Sequence, residues 1–523
     1  MRQGTSLRDD GPRRIHGRWV VMPTNISAIN EEISMYLGLD LGTSGLKGLL
    51  IDEQQHVIDS VTTPLTQSRP NSGWSEQNPV DWIAAAESVL DQLKSRHPIE
   101  LTSVSGIGLS GQMHGATLID KAGGVLRPCI LWNDTRSHIE AAELDADPEF
   151  RDISGNIVFP GFTAPKLLWV KKNEPRLFDC IDKVLLPKDY LRYWLTGEAI
   201  SEMSDAAGTS WLDTAQRCWS EKLLNASGMD LDQMPALVEG TQVSGTVRSY
   251  LAQRWGWSDS VIVAGGAGDN AASAVGMGVI TEGSAFVSLG TSGVLFAATA
   301  QTLPAPESAI HAFCHALPST WHQMGVILSA ASALDWYARL VGASAKDLTA
   351  ELGDKPTAPG QEIFLPYLSG ERTPHNNATI RGVFIGLNHD SDRKALSHTV
   401  LEGVAFALRD NLEALRAAGT NLNTVTAIGG GSQASYWLKL ISTILGVQVN
   451  VPAEGDFGAA FGAARLGMIA ATGLDPSIVC HQPVIAQTIE PDSSMADSCE
   501  QAYQRYRNLY PAICSVQISK TGH

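Results

Sequence analysis

LGTSG occupies residues 41–45 of this chain and stands again at residues 289–293, about half the chain further on. A short apolar run precedes and follows each copy, which is typical of a β-hairpin with a turn of small residues. Such a turn exposes backbone N–H groups and hydroxyls that suit phosphate oxygens. The repeat predicts two related halves, each with a phosphate-binding turn; chance recurrence of a common tight turn is the alternative.

The two copies differ at the residue before the turn. Asp40 precedes the first copy, and Ser288 stands at the matching position of the second. A carboxylate in so apolar a strand is costly to bury unless it is paired or lies near a cation. Asp40 is therefore the candidate for a Mg²⁺ site, with contact through water beside bound phosphates. A buried, turn-capping aspartate is the alternative.

The composition is that of a globular protein with more than one domain, since 523 residues exceed the size of one hydrophobic core. The formal net charge of −17 argues against nucleic acid or an anionic membrane as a partner. No stretch approaches the ~18 apolar residues that span a bilayer. The seven cysteines include no C-x-x-C pair, which predicts neither a zinc site nor a disulfide framework and favours the cytoplasm.

The first 34 residues differ in character from the rest. Five arginines are spread through them, and they lack the apolar region of a secretory signal. Regular strand patterning begins at Met35. Residues 1–34 are therefore predicted to be a disordered extension, or upstream sequence added by a misplaced start; a targeting or docking tail is the alternative.

From Met35 onward the hydrophobic pattern is that of an α/β protein. Five apolar segments predict three strands, a helix and a fourth strand, at residues 36–39, 46–51, 56–61, 79–93 and 104–109. This order is the opening of a ribonuclease-H-like domain. Because the second LGTSG copy starts another hairpin of the same kind, we predict two such domains, 35–281 and 282–515.

A strand that ends in glycines and precedes a helix also occurs in each half. The first is the apolar run 261–264, which ends in GGAGDN at 265–270, and the second is 425–428, which ends in GGGS at 429–432. Asp269 is therefore expected to project from the carboxyl end of a sheet, where glycine lets the backbone approach a substrate closely. Asp269 as a helix N-cap is the alternative, and the two roles are compatible.

One glycine motif points to a different fold. Residues 106–111 match G-x-G-x-x-G, the dinucleotide fingerprint, in which a helix opens at the third glycine. Met-His-Gly and another apolar run follow instead, so we reject a Rossmann fold. The chain contains no G-x-x-x-x-G-K-[ST] sequence, which excludes a P-loop enzyme.

Five further stretches carry a resemblance to one family, the first two of them as its signatures. They are GFTAPKLLWVKKN at 161–173, the segment 382–402 that begins GVFIGL, GQMHGA at 111–116, LWND at 131–134 and LPYLSGERTPHN at 365–376. Together they resemble the FGGY carbohydrate kinases, over residues 35 to about 510. The resemblance implies the sugar kinase, Hsp70 and actin fold: two ribonuclease-H-like α/β domains flanking a deep cleft. Ala395 and Thr399 depart from the second signature, and both are expected on a helix away from the chemistry.

The resemblance also implies a reaction, the ATP-dependent phosphorylation of a sugar hydroxyl with Mg²⁺ as cofactor. The motifs at 111–116, 131–134 and 365–376 resemble the branch of the family that acts on D-xylulose, and another ketopentose or polyol, such as D-ribulose, is the alternative. The resemblance gives Asp269 the role of general base. It also implies that Met113 and His114 contact the ketose.

Two further residues are candidates for the sugar site. Asn270, next to Asp269, is placed to form hydrogen bonds with sugar hydroxyls. Trp132 is either an apolar wall of the site or a core residue. Both assignments depend on the cleft that the resemblance implies.

For ATP we predict three turns drawn from both halves. They are Gly42, Thr43 and Ser44 in the first LGTSG copy, Gly290, Thr291 and Ser292 in the second, and Gly430, Gly431 and Ser432 after the strand 425–428. The second half is expected to hold most of the nucleotide. Lys47 is a further candidate for phosphate contact, although a lysine just after a turn commonly faces solvent.

Other classes of protein share this fold. Actin-like polymers and chaperone ATPases need long contact insertions, and none is visible in this sequence. A sensor that had lost its activity would be expected to lack Asp40 or Asp269, and both are present. The sequence does not fix the oligomeric state, for which a homodimer is one hypothesis.

Overall fold

The computed structural model of the protein describes residues 34–453, 455 and 457–517. The predicted N-terminal extension, residues 1–34, therefore lies outside the described residues except for Ser34. The seven cysteines all lie in the described part, and all are free thiols there. Among the described residues, no helix combines the length and hydrophobicity needed to cross a membrane.

The strands are, in chain order, β1 (Met35–Leu41), β2 (Gly45–Ile51), β3 (Val57–Pro64), β4 (Glu76–Gln77), β5 (Val104–Gly111), β6 (Thr117–Ile119), β7 (Cys129–Ile130), β8 (Lys183–Leu185), β9 (Ile200–Glu202), β10 (Leu212–Asp213), β11 (Cys218–Trp219), β12 (Ala236–Val238), β13 (Val243–Thr246), β14 (Ile262–Ala264), β15 (Ala267–Gly268), β16 (Ala285–Leu289), β17 (Gly293–Thr299), β18 (His311–Cys314), β19 (Trp321–Ile327), β20 (Ile363–Leu365), β21 (Val383–Ile385), β22 (Thr424–Ile428), β23 (Gln448–Pro452) and β24 (Ile485–Ile489).

The helices are α1 (Pro79–Arg96), α2 (Pro98–Thr102), α3 (His138–Asp145), α4 (Pro148–Ser154), α5 (Thr163–Asn173), α6 (Pro175–Phe178), α7 (Pro187–Thr196), α8 (Met203–Ala206), α9 (Glu221–Ala226), α10 (Ser249–Trp255), α11 (Asp269–Gly276), α12 (Ala331–Val341), α13 (Ala345–Leu352), α14 (Arg393–Ala417), α15 (Ser435–Leu445), α16 (Ala459–Thr472), α17 (Pro476–Val479) and α18 (Ala496–Gln517).

Two large mixed sheets organise the chain, and their central strands follow the same plan. In the first sheet the order is β13-β14-β5-β1-β2-β3, and in the second it is β18-β19-β17-β16-β22-β23-β24. β1 is antiparallel to β2 and parallel to β5, and β16 is likewise antiparallel to β17 and parallel to β22. The predicted two-domain α/β fold is confirmed, and so are both hairpins of the LGTSG repeat.

The two hairpins are not identical in register. Leu41 pairs with Leu46 across the first turn, whereas Leu289 pairs with Gly293 across the second. The first turn therefore spans four residues and the second three. This difference places Lys47 directly across from Asp40 in the first hairpin.

Helix α1 shows why the local sequence gives the predicted elements. Asn78 caps its first turn by accepting from the Val80 N–H, Pro79 occupies the first helical position, and two basic residues lie in the last turn. One face is apolar and fully buried, formed by Trp82, Ala86, Val89, Leu90 and Leu93. This face packs into the core under the first sheet.

Between the two sheets, α16 of the second half packs against the sheet of the first half and against helix α11. Helix α16 belongs to the second half of the sequence but lies on the first sheet: a Cβ at Gly38 would lie 1.9 Å from the Ala460 carbonyl oxygen, and one at Gly108 would lie 1.7 Å from that of Ala463. Helix α11 and the residues after it share an apolar cluster with Phe286 and Phe296 of the second sheet. The division of the chain near residue 281 stays a prediction, and the packing of α16 on the first sheet was not predicted.

The glycines of the rejected dinucleotide motif have this packing role. Gly106 and Gly108 admit the backbone of α16, and β5 is followed by a loop and strand β6 rather than by a helix. Rejection of the Rossmann fold is therefore confirmed. The two departures from the second family signature do lie on a helix, α14, where the Thr399 hydroxyl donates to the Ala395 carbonyl at 3.0 Å.

Candidate active site

Three parallel strands of the first sheet end side by side at one edge. In β1 and β5, Asp40 is opposite Ser110, and in β15 and β5, Gly268 is opposite Gly111. Asp40, the loop after β5 and Asp269 therefore meet at this edge, which we call the sugar edge. The carboxyl end of parallel strands is where α/β proteins bind their ligands.

Asp269 is the first residue of α11. Its Oδ1 accepts hydrogen bonds from the backbone N–H of Asn270 at 2.7 Å and from the Asn270 side-chain amide at 2.9 Å. The residue at the N-cap is Gly268, and no side chain caps this helix, so the alternative role of Asp269 as an N-cap is wrong. The amide of Asn270 holds the carboxylate in place.

The environment of Asp269 disfavours its ionised form. Burial, followed by the nearby Asp40 carboxylate, raises its pKa to about 6, although the bonds from Asn270 act in the opposite direction. A carboxyl group of this pKa is ionised at neutral pH and can accept a proton from an alcohol held beside it.

Met113 and His114 lie on the loop after β5. Met113 is buried against Gly268, where a Cβ would lie 2.9 Å from Met113 Cγ. His114 has φ of +67° and stacks on Phe162 at 4.4 Å between ring centroids. Its Nδ1 lies 2.6 Å from the Gly208 carbonyl oxygen, which can only accept, so Nδ1 carries the proton.

His114 is uncharged at neutral pH. Burial, and then the Lys166 and Arg372 cations, lower its pKa to about 3. Since Nδ1 donates to Gly208, Nε2 is an acceptor in the neutral ring. The structure therefore presents His114 as a hydrogen-bond acceptor for a neutral ligand rather than as a cation for an anionic one.

Helix α5 fixes the unusual backbone of this loop. The Thr163 hydroxyl and the Lys166 ammonium both donate to the His114 carbonyl oxygen, at 3.1 and 2.8 Å. Burial lowers the pKa of the completely buried Lys166 to about 7. Sequence reasoning recognised this segment as a family signature but missed its contact with His114; a lysine within an apolar run was the available signal.

The first LGTSG turn is joined to the sugar edge by a hydrogen-bonded chain. The Trp132 indole N–H donates to the Thr43 hydroxyl at 3.0 Å, and that hydroxyl donates to Gln112 Oε1 at 3.0 Å. Gln77 accepts from the Gln112 amide and donates to the Thr43 carbonyl. Trp132 is 48% exposed, so the alternative that it is a core residue is wrong. The roles of Gln77 and Gln112 in this chain were not predicted from the sequence.

The second LGTSG turn is anchored differently. The start of α12 donates to the carbonyl oxygens of Gly290 and Thr291. Within the described residues, the backbone N–H groups of Thr291 and Ser292 donate to no other group, which leaves them for an anionic ligand. The turn is thus a small cradle of donors on an exposed surface.

The glycine turn after β22 lies next to this cradle. Strands β16 and β22 are parallel neighbours, and a Cβ at Gly431 would lie 2.9 Å from Leu289 Cβ. A Cβ at Gly430 would meet no atom within 4 Å, so the surface over Gly430 is open. The structure therefore brings Gly430, Gly431 and Ser432 beside Gly290, on the second sheet rather than the first.

The donor set around Asp40 suits a cation shared with a ligand. In the part of the chain that the structure describes, no group of three or more His, Cys, Asp and Glu side chains is placed to hold a metal ion. Two carboxylates, Asp40 and Asp269, are electrostatically coupled at the sugar edge. Mg²⁺ typically takes one or two carboxylates and completes its shell with water and phosphates, so these residues fit that ion.

Two repeated halves, one with a carboxylate-bearing edge and one with glycine turns, define an α/β kinase of the sugar kinase, actin and Hsp70 fold class. The sequence model for the N-terminal domain of the FGGY family of carbohydrate kinases matches residues 35–276, and that for the C-terminal domain matches residues 285–471. The chain belongs to the FGGY family of carbohydrate kinases, as the signatures predict.

Individual relatives support the same family. The chain is 48% identical over 484 residues to a xylulose kinase of Escherichia coli K12, covering 92% of this chain and 99% of the relative. It is 50% identical over 438 residues to a xylulose kinase of Klebsiella pneumoniae, covering 83% of this chain and 90% of the relative. A crystal structure of a "xyloylose kinase" from Brucella ovis superposes with a TM-score of 0.91 at 63% identity. The match covers 92% of this chain and 100% of that structure.

Proposed function

We propose that the protein transfers the γ-phosphoryl group of ATP to D-xylulose and forms D-xylulose 5-phosphate. The observation that carries the proposal is the sugar edge, where a carboxyl group of pKa about 6 lies beside Asp40 and the His114 loop. The choice of sugar is supported by relatives that are named xylulose kinases at 48–50% identity.

Asp269 acts as the general base in this proposal. Its carboxylate accepts the proton of the C5 hydroxyl while that oxygen forms a bond to the γ-phosphorus. The bond from the γ-phosphorus to the bridging oxygen breaks, and ADP leaves with the electron pair. Asn270 holds Oδ1 by two hydrogen bonds, which orients the carboxylate.

The ketose lies on the loop after β5. Neutral His114 accepts a hydrogen bond from a sugar hydroxyl through Nε2, and buried Met113 forms the floor beside Gly268. Trp132 provides an exposed apolar wall that is tied to Thr43. A site that pairs individual hydroxyls discriminates strongly between related sugars.

The nucleotide lies between the turns. The N–H groups of Thr291 and Ser292 hold phosphate oxygens, and the open surface over Gly430 and Gly431 accommodates adenosine. The first turn, Gly42 to Ser44, closes over the phosphates from the other side. Asp40 would hold Mg²⁺ through water, and the ion would supply neutralisation of charge on the β- and γ-phosphates.

A panel of sugars tests the proposal directly. Purified protein is incubated with ATP and each of D-xylulose, D-ribulose, other ketopentoses and several polyols, and ADP release is measured. D-xylulose is expected to give the highest kcat/KM. Faster turnover of D-ribulose would keep the mechanism and replace the substrate, whereas no sugar-dependent turnover on any member would overturn the proposed function.

A further inference from the structure

Five charged side chains with no exposed surface lie beneath the turn that carries Asp269. We call them the buried charge cluster: Lys188, Asp189, Arg192, Glu202 and Asp205. They come from the first turns of α7, the end of β9 and helix α8. Charged groups this deeply buried are expensive unless each is paired and hydrogen-bonded, so the cluster needs a reason to exist.

Lys188 is the centre of the cluster. Its ammonium lies 2.9 Å from Asp189, 3.2 Å from Glu202 and 2.9 Å from Asp205. Burial, together with the negative charges of Asp189 and Glu202, raises the pKa of Asp205 to about 8, although the Lys188 ammonium acts in the opposite direction. With Asp205 protonated at neutral pH, two cations face two carboxylates and the cluster has no net charge.

The cluster reaches the catalytic turn at two points. The Gly268 N–H donates to the Ser204 hydroxyl at 3.0 Å, and that hydroxyl donates to Glu202 Oε1 at 3.0 Å. At the other end of the turn, the Arg192 guanidinium donates to the Gly265 carbonyl oxygen. Both ends of the segment that precedes Asp269 are therefore tied to buried charges.

This segment needs support because its own backbone is unusual. Gly266 has φ of +74°, in the left-handed region, and a Cβ there would lie 2.2 Å from the Leu109 carbonyl oxygen. Rotation about the Gly268 backbone would swing the Asp269 carboxylate away from the edge shared with Asp40. The hydrogen bond from the Gly268 N–H to Ser204 opposes that rotation.

We propose that Ser204, oriented by Glu202 and Lys188, is a positioning residue that holds the Gly268 amide and thereby aims the Asp269 carboxylate at the sugar. The proposal rests on the proposed function, because it assumes Asp269 as the base. It differs from a purely structural role for the cluster, which would affect folding and sugar binding as much as the chemical step.

Three variants separate these roles. Ser204→Ala removes the acceptor of the Gly268 N–H. Glu202→Gln keeps the Ser204 hydroxyl but weakens its orientation and the charge balance around Lys188. The matched control is Ser442→Ala, which removes the hydroxyl of an equally buried serine that donates to the carbonyls of Val447 and Ile489 in the second half.

The measurements are kcat and KM for D-xylulose at saturating ATP, together with sugar binding followed by tryptophan fluorescence. In Ser204→Ala we expect kcat to fall by about 10- to 100-fold, the scale of a misplaced catalytic group. KM and the dissociation constant for the sugar are expected to change by less than about threefold. Glu202→Gln is expected to lower kcat in the same way but less, and it carries the test if Ser204→Ala does not fold.

Asp269→Asn, assayed alongside, separates the two proposals. If it abolishes turnover while kcat of Ser204→Ala stays within twofold of wild type, the positioning role is overturned and the base role stands. If Ser442→Ala lowers kcat as much as Ser204→Ala, the positioning role is also overturned. Undiminished turnover by Asp269→Asn would overturn the proposed base and the positioning role together.

Discussion

The environment of Asp269 gives its carboxylate the basicity that the proposed proton transfer needs, and the same environment makes the ionised form unfavourable for folding. Its pKa of about 6 lies above the ordinary value of 3.8, because the site is buried and Asp40 is near. The folded state therefore binds a proton more tightly than the unfolded state between about pH 4 and pH 6. Stability is lost as the pH rises through this window, and it stays lower above pH 6.

Replacing Asp269 by Asn is expected to separate activity from stability. Without a base, turnover of D-xylulose should fall by at least about 10³-fold. Removal of the partly buried charge should increase the free energy of unfolding at pH 7 by about 1–3 kcal/mol, given a shift of about two pKa units. Denaturant unfolding and ADP release measure the two effects; a less stable variant would contradict this account of the site.

The pH profile should report the same carboxyl group. Because the base must be ionised, kcat/KM should fall as the pH drops through about 6. Asp40 raises this pKa, so in Asp40→Asn the midpoint of the residual activity should move to lower pH. The Asn270 amide lowers it, so in Asn270→Ala the midpoint should move to higher pH. Shifts in the same direction in both variants would exclude Asp269 as the titrating group.

Site residues at or near the ends of strands could be predicted from the sequence. Side chains that hold the backbone of the site through hydrogen bonds could not. Asp40, His114 and Asp269 each come just after an apolar run, so their meeting at a sheet edge follows from the pattern. Thr163 and Lys166 bind a carbonyl oxygen that lies 49 and 52 residues away in the chain. No periodicity encodes such a contact, and only the fold reveals it.

At the scale of elements, helix α5 and the loop after β5 form one unit. Lys166→Met removes one of two donors to the His114 carbonyl and should loosen the loop, so KM for D-xylulose should rise by about tenfold while kcat changes less. Lys171→Met, on the exposed face of the same helix, is the matched control and should behave as wild type. Equal KM values in the two variants would exclude a role for α5 in sugar binding.

The hairpins, the glycine-ended strands and α1 were predictable because local chemistry decides them: Asn78 and Pro79 start a helix, and small residues make a turn. Which sheet a helix packs against could not be predicted in this way. Helix α16 is rich in small apolar residues on all sides, with Ala460, Ala463 and Ala464 buried, so its sequence does not say which sheet it covers. The glycines of β1 and β5 that receive it are distant in sequence, and those of β5 by themselves resemble a nucleotide motif.

At the scale of the whole molecule, the proposed reaction predicts that the two sheets approach each other. The sugar edge belongs to the first sheet and the glycine turns to the second, and closure would expel water that competes for the phosphoryl group. Saturating D-xylulose together with a non-hydrolysable ATP analogue should reduce the radius of gyration measured by X-ray scattering. Each ligand alone is the control, and scattering profiles that do not change with both ligands would contradict closure.

The position of α16 also decides when the first half can acquire its final form during synthesis. β14 is complete at Ala264, whereas α16 begins at Ala459. At about 5–20 residues per second, a ribosome needs on the order of 10–40 s to make the chain between them. For that time the glycine-lined face of the nascent sheet is bare, and Arg465, which binds the last carbonyls of α11, has not been made. A gene fragment that ends before residue 459 would therefore yield a permanently uncovered sheet and an aggregation-prone product.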